Sequence, residues 1–103
     1  IGNDYGYEQV FARELQGLAN PGDVFIPITT SGNSQNIQVA VEQAGKQGLI
    51  TVAFTGESGG KLAALCECIC VPSRETARIQ ESHIMIGHII CGLVEKTYFK
   101  GKI

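Results

Sequence analysis

The stretch "VFIPITTSGNSQNIQVAVEQAG", residues 24–45, decides the fold of this chain. It begins with an apolar run, Val24–Thr29, that is long enough for a buried strand. Pro27 argues against a central position in a sheet, because proline donates no backbone hydrogen bond. After a short polar loop, apolar residues recur at helical spacing, at Ile37, Ala40, Val41 and Ala44. A strand, a tight polar loop and a helix in this order are typical of an α/β unit.

The segments on either side continue this alternation of helices and strands. The patterns predict a helix over about 6–19, a turn at 20–23, a strand over Leu49–Phe54, a short helix at 61–66, a strand over Cys68–Val71 and a final helix from about Glu75 to Phe99. Thr76 or Ser73 is the predicted cap of the final helix. Short connections and continuous apolar strands indicate a parallel sheet. We therefore predict a three-layer α/β fold, a parallel sheet flanked by helices.

The final helix is apolar on almost every side through "IMIGHIICGLV", residues 84–94. A helix that is apolar all round is expected to be buried all round. A chain of 103 residues has little material with which to cover such a helix. We therefore expect this helix to pack into another subunit, or against a segment outside this sequence.

Length and charge narrow the class of protein. The 103 residues fit one small domain, and the net charge of −2 argues against nucleic acid or an anionic membrane as the main partner. The sequence contains no run of 18 apolar residues and no recognisable signal peptide. It begins "IGNDYGY" without a methionine, which indicates a fragment or a processed start.

Three of the four cysteines stand in "CECIC", residues 66–70, and the fourth is Cys91. On a strand, this spacing places three thiols on one face, which does not match a CxxC zinc or redox motif. The favoured interpretation is small buried hydrophobic residues in a reducing cytosol, so we expect a cytoplasmic protein. A metal or redox role is the alternative.

The polar loop "TTSGNS", residues 29–34, lies where a ligand would bind in an open α/β sheet, beyond the carboxyl end of a strand. Gly32 has no side chain, so the backbone can come close to a ligand there. The N-terminus of the next helix favours the binding of an anion. The hydroxyl groups belong to Thr29, Thr30, Ser31 and Ser34. The loop lacks the lysine of the GxxxxGK[ST] nucleotide loop, and it suits a phosphate monoester. The alternative is an ordinary turn in which Ser34 caps the helix.

At this point the sequence resembles a known family. "ITTSGNSQNIQVAVEQAGKQG" with "TVAFTGESGGKLAALC" is similar to the sugar isomerase (SIS) domain family, which has a flavodoxin-like fold and a [ST]-x-S-G-x-[ST] loop for sugar phosphates. "GNDYGYEQVFARELQGL" and "VPSRETARIQESHIMIGHIICGLVE" resemble, within it, the phosphoheptose isomerases. Members of that group are nearly twice as long and have a five-stranded sheet. The resemblance therefore implies that residues 1–103 are a partial SIS domain, its carboxyl-terminal portion.

The resemblance also implies roles for individual residues. Its phosphate-binding positions correspond to Thr29, Thr30, Ser31 and Ser34, and its sugar-binding positions to Asn3, Asp4 and Gln80. His88 corresponds to the active-site histidine, which moves a proton between adjacent carbons through an enediol. In zinc-bound members, Gln80 and His88 are metal ligands. The remaining ligands and a catalytic glutamate belong to the half of the family sequence that is absent here.

Less specific readings compete with several of these roles. Asn3 and Asp4 also suit a helix-entry turn, and a lone histidine on an apolar helix, such as His88, is more often a core residue. Gln80 and His88 are about 12 Å and about 80° apart along a helix, so both side chains must lean towards a shared ion. His83 is expected to contact a neighbouring helix, and Glu81 to have a structural role.

The family implies an enzyme that isomerises sedoheptulose 7-phosphate to D-glycero-D-manno-heptose 7-phosphate in the bacterial heptose (lipopolysaccharide) pathway. It also implies a homo-oligomer, a tetramer, and zinc. The alternative is a non-catalytic SIS protein that senses sugar phosphates or binds a replication initiator. A generic flavodoxin-like phosphate binder would have no use for His88.

Overall fold

The computed structural model describes residues 7–100. Their elements are a 3₁₀ turn (Tyr7–Gln9), α1 (Val10–Leu18), β1 (Val24–Phe25), α2 (Gln35–Lys46), β2 (Ile50–Thr55), a 3₁₀ helix (Gly60–Ala64), β3 (Glu67–Cys70) and α3 (Thr76–Phe99). The predicted order of helices and strands is confirmed. Asn3 and Asp4 lie outside the described residues.

The three strands form one parallel sheet in the order β1-β2-β3, with Val24 opposite Ile50 and Val52 opposite Glu67. This confirms the predicted α/β class with a parallel sheet. The first strand is shorter than predicted, because regular pairing stops after Phe25, two residues before Pro27. The chain returns to β2 at a single bridge between Ile28 and Phe54. The first strand therefore ends in an irregular segment that leads directly into the polar loop.

The hydrophobic core lies between the sheet and α2. It is formed by Val41, Ala53 and Leu62, with the partly buried Phe25, Ile37, Cys66 and Cys68 packed against them. The small residues Ala40 and Ala44 of α2 are fully buried. Helix α1 packs on the outer side of α2, where the Gln47 amide donates hydrogen bonds to the C-terminal carbonyl groups of α1, at Leu15 (3.0 Å) and Ala19 (3.3 Å).

The cysteines are only partly the buried residues that the sequence predicts. All four are free thiols; Cys66 and Cys68 pack against the core, whereas Cys70 and Cys91 are exposed. Burial, followed by the neighbouring Cys66, raises the pKa of Cys68 to about 11. A thiol with a raised pKa is a poor nucleophile and a poor metal ligand at neutral pH, so Cys68 behaves as a small apolar residue.

Helix α3 touches the sheet only through its first third. Its buried residues are Ile79 and His83. Most of its apolar side chains are exposed: Ile84, Met85, Ile89, Leu93, Val94, Tyr98 and Phe99. The described residues therefore leave most of this helix uncovered. The all-round burial that its composition predicts would need another subunit or a segment outside this sequence.

The start of α3 also differs from the prediction. Its N-cap is Glu75, without a side-chain capping bond, and not Thr76 or Ser73. The Ser73 hydroxyl instead accepts a hydrogen bond from the Glu75 backbone N–H at 3.1 Å, which forms a turn just before the helix. Within residues 7–100, no helix is both long and apolar enough to cross a membrane.

Candidate active site

The polar loop after β1 is held in a defined shape by its own hydroxyl groups. Thr29 is buried, and its Oγ1 lies 3.3 Å from Ser34 Oγ and accepts a bond from the Gly32 N–H at 3.4 Å. The Ser31 hydroxyl accepts a bond from the Asn33 N–H at 3.0 Å. Ser34 is the N-cap of α2, but its hydroxyl makes no capping bond. The alternative reading of Ser34 as the N-cap is therefore right about its position, but Ser34 lacks the side-chain bond of an ordinary cap.

The loop is also braced by the segment that follows β2. The Lys61 N–H donates to Asn33 Oδ1 at 2.9 Å, and the Leu62 N–H donates to the Gly32 carbonyl at 3.3 Å. The two segments touch backbone to backbone at Gly32 and Gly59. The side chain of Lys61, at the start of the 3₁₀ helix, is exposed to solvent. The bracing holds the hydroxyl groups of the loop in place before any ligand arrives.

The carboxyl ends of all three strands surround a cavity of about 450 Å³, here called the hydroxyl cavity. Its lining comes from the loop after β1 (Thr30, Ser31), the loop after β2 (Glu57, Ser58) and the segment that leads into α3 (Ser73, Arg74, Thr76, Ile79). Parallel strands end at the same edge of a sheet, and ligands of open α/β sheets bind at that edge. Five hydroxyl groups from three separate loops suit a polyol or a phosphate ester.

Two of the residues that line this cavity form an ion pair with each other. Arg74 Nε lies 2.9 Å from Glu57 Oε2, with the side chains 89% and 50% exposed. A pair this exposed contributes little to stability. It does place one guanidinium at the edge of a cavity that suits an anion. The sequence favours a turn with helix entry for "TGESGG", with the edge of a pocket as the alternative; Glu57 and Ser58 of this stretch do line the cavity. The sequence did not indicate that Ser73, Arg74 and Thr76 line it too. Their position just after a strand end was the available signal.

A second cavity, of about 520 Å³, lies beside α3 and is here called the helix cavity. Gln80 and His88 both line it, together with Ile28, Phe54, His83, Ile84, Gly87 and Cys91. The separation along the helix therefore does not prevent Gln80 and His88 from facing one space. The lining residues include no carboxylate. The structure brings Gln80 and His88 together, and it places Thr30 and Ser31 in the adjacent hydroxyl cavity.

His83 and Glu81, which lie near Gln80 on α3, each contact another residue of the protein. His83 is buried, and its Nε2 lies 2.8 Å from the Thr55 carbonyl oxygen at the end of β2. The expectation that His83 contacts a neighbouring helix is therefore wrong, since its partner is the sheet. Glu81 forms an exposed ion pair with Arg78, at 2.6 Å, which fits the structural role expected for Glu81.

The zinc that the resemblance implies would find only part of its ligand set here. Among residues 7–100, no three His, Cys, Asp or Glu side chains are close enough to hold a metal ion together. Gln80 and His88 line the same cavity and offer two ligands. A zinc site needs at least three protein ligands, so the described residues fit half of such a site.

The structure is that of an open α/β domain with a polar loop at the carboxyl edge of its parallel sheet, and comparison with known proteins identifies its family. The chain belongs to the SIS domain family, whose family model matches residues 1–56.

The similarity to individual proteins is more specific. The phosphoheptose isomerase of Aneurinibacillus thermoaerophilus is 60% identical over 103 residues, which are 99% of this chain and 52% of that protein. That of Sulfurimonas denitrificans is 55% identical over 100 residues, 96% of this chain and 51% of that protein. The chain thus spans about half the length of the curated relatives it matches.

Solved structures give the same result. A phosphoheptose isomerase from Francisella tularensis superposes with a TM-score of 0.88 at 40% identity, over 92% of this chain and 54% of that one. The enzyme from Neisseria gonorrhoeae superposes with a TM-score of 0.86 at 43% identity, over 91% of this chain and 54% of that one. The described residues therefore have the fold of the corresponding part of these two phosphoheptose isomerase structures.

Proposed function

We propose that the full-length protein is an aldose–ketose isomerase that converts sedoheptulose 7-phosphate to D-glycero-D-manno-heptose 7-phosphate in bacterial heptose biosynthesis. The relatives named phosphoheptose isomerase support the reaction class. The observation that carries the proposal is the shared cavity of Gln80 and His88, next to a cavity lined by loop hydroxyl groups. The four free thiols are in keeping with a reducing, cytoplasmic location.

The proposed chemistry needs an acid–base group and an anchor for the phosphate. One proton leaves C1 of the ketose and one is added at C2, while the O1 hydroxyl proton moves to O2, so the reaction needs no redox partner. His88 can carry a proton near neutral pH. Thr29, Thr30, Ser31 and Ser34, at the N-terminus of α2, would hold the phosphate. Asn3 and Asp4 would contact the sugar.

Zinc is a proposed part of the same site. Gln80 and His88 would hold the ion, with the remaining ligands from residues outside this sequence, and zinc would polarise the substrate carbonyl as a Lewis acid. A glutamate outside this sequence would share the proton transfer, because no carboxylate lines the helix cavity.

We also propose that the protein is a homo-oligomer, a tetramer, with α3 at the subunit contact. The exposed apolar side chains of α3 support this arrangement. Soluble monomers rarely leave so large a contiguous apolar surface uncovered.

The competing function is a non-catalytic SIS protein that binds a sugar phosphate or a replication initiator. It predicts ligand binding at the loop without turnover.

Two variants of the full-length protein separate these functions. His88→Gln keeps a polar side chain of similar size but removes the proton carrier, so it should lower turnover by about 10²–10⁴-fold with little change in sugar-phosphate affinity. Thr30→Val combined with Ser34→Ala should weaken binding by about 2–4 kcal/mol, from two lost bonds to a charged acceptor. Turnover per folded site, affinity by calorimetry and melting temperature are the measurements.

Other outcomes would contradict the assignment. Normal turnover in a destabilised His88→Gln variant would remove His88 from the chemistry and identify it as a core residue. Wild-type protein that binds sedoheptulose 7-phosphate but does not convert it would favour the binding protein. Unchanged affinity in the double loop variant would exclude the loop from the site.

A further inference from the structure

His83 is a buried imidazole that is bonded to the end of strand β2. The residue is 3% exposed, and its Nε2 lies 2.8 Å from the Thr55 carbonyl oxygen. A carbonyl oxygen only accepts hydrogen bonds, so Nε2 is the donor of this bond. Nδ1 is buried and has no hydrogen-bond partner among the described residues. Its ring packs against Phe54, with the centroids 5.7 Å apart.

The partner of His83 is the peptide group between Thr55 and Gly56, which joins three parts of the molecule. Its carbonyl oxygen accepts bonds from His83 Nε2 and from the Val71 N–H, the latter at 3.1 Å. Its N–H, on Gly56, donates to the Thr30 carbonyl at 3.0 Å. Because a peptide group is planar and rigid, a bond on one side fixes the direction of the bond on the other. The group thus links α3 to the polar loop.

The surroundings of this Thr55–Gly56 peptide, here called the junction, are tightly packed. A Cβ on Gly56 would lie 2.5 Å from the Thr30 carbonyl oxygen and 2.9 Å from Ile79 Cδ1. Ile79 lines the hydroxyl cavity, while Gln80 and His83 line the helix cavity. The Thr55–Gly56 peptide therefore bonds to residues that line each of the two cavities, His83 on one side and Thr30 on the other.

We propose that His83 is a positioning residue that sets the placement of Gln80 and His88 relative to the phosphate loop. This inference rests on the proposed isomerase function. His83 acts through the Thr55–Gly56 peptide and not through contact with the substrate. Gln80 lies three residues before it on α3 and His88 five residues after it, so the bond from His83 to the sheet orients both. Proton transfer depends on this orientation, because small displacements of a catalytic group lower turnover strongly.

The test compares two substitutions in the full-length protein. His83→Gln keeps an N–H donor at a reach similar to that of Nε2, whereas His83→Leu fills the space without a donor. For His83→Leu we expect kcat to fall by about 10–100-fold, the cost of a misplacement of about 1 Å. His83→Gln should recover most of the loss, and inorganic phosphate should bind all three proteins within about twofold. The control is Ser82→Ala, which removes a bond within α3, from the Ser82 hydroxyl to the Arg78 carbonyl.

Amide hydrogen exchange gives a second measurement that does not depend on activity. The Gly56 and Val71 amide protons should exchange at least tenfold faster in His83→Leu than in the wild type, and at the wild-type rate in His83→Gln. Equal exchange in all variants would overturn the positioning role, as would a kcat of His83→Leu equal to that of His83→Gln. Wild-type protein without turnover of sedoheptulose 7-phosphate would refute the proposed function, and the exchange rates would still decide whether His83 holds the junction.

Discussion

Replacement of Gly32 by alanine tests the most specific feature of the polar loop, its backbone contact with the segment after β2. Gly32 has a φ of +72°, and a Cβ there would lie 2.0 Å from the Gly59 carbonyl oxygen. The contact is reciprocal, since a Cβ on Gly60 would lie 2.3 Å from the Ser31 carbonyl oxygen. Both neighbours are backbone atoms, so the two segments would have to separate.

The expected loss of stability follows from these contacts. An alanine in the left-handed region costs about 1–2 kcal/mol. Separation of the segments would break the bonds from Lys61 N–H to Asn33 and from Leu62 N–H to Gly32, each worth about 0.5–1.5 kcal/mol. The smaller conformational freedom of alanine in the unfolded chain returns about 0.4–1 kcal/mol. The free energy of unfolding should therefore fall by about 2–4 kcal/mol, and phosphate binding should weaken.

Gly22→Ala is the matched control. Gly22 has a φ of +89°, but no atom lies within 4 Å of the position of its Cβ. Only the conformational term remains there, so we expect a loss of about 1 kcal/mol or less. Urea unfolding of the full-length variants, at one protein concentration, measures both losses. A loss for Gly32→Ala no larger than that for Gly22→Ala would show that the two segments do not constrain each other, and the account of a pre-formed loop would be wrong.

Two further predictions concern the thiols and the assembly. Because burial raises the pKa of Cys68 from 9.0 to about 11, the unfolded chain loses this proton first. The free energy of unfolding should therefore fall between pH 9 and pH 11 more steeply in the wild type than in Cys68→Ala, and equal slopes would contradict the shift. The full-length protein should be an oligomer by light scattering, and Ile89→Glu, on the exposed apolar face of α3, should shift it towards smaller species. A wild-type monomer would refute the proposed contact.

The sequence predicted those parts of the fold that depend on neighbouring residues. The strand, polar loop and helix between Val24 and Lys46 follow from local periodicity and loop chemistry, and all three are present. The early end of β1 agrees with the presence of Pro27, because proline lacks the N–H that strand pairing needs. The start of α3 was less predictable, because Ser73, Thr76 and Glu75 are close in sequence and the path of the incoming chain selects among them.

The candidate site was predictable only in part. The motif identified the loop hydroxyl groups, and the resemblance identified Gln80 and His88. The motif did not indicate that Ser73, Arg74 and Thr76 join the same cavity. That depends on three parallel strands ending at one edge of the sheet, which is a long-range arrangement.

His83 shows most clearly what the tertiary structure decided. In the sequence, His83 and His88 are both histidines among apolar residues of one helix, and the pattern does not separate their roles. In the structure, His83 is buried against the Thr55 carbonyl, whereas His88 is exposed at the helix cavity. Helical periodicity determined which residues of α3 share a face. The contact of α3 with the end of β2 determined which of them is buried, because burial depends on atoms distant in sequence.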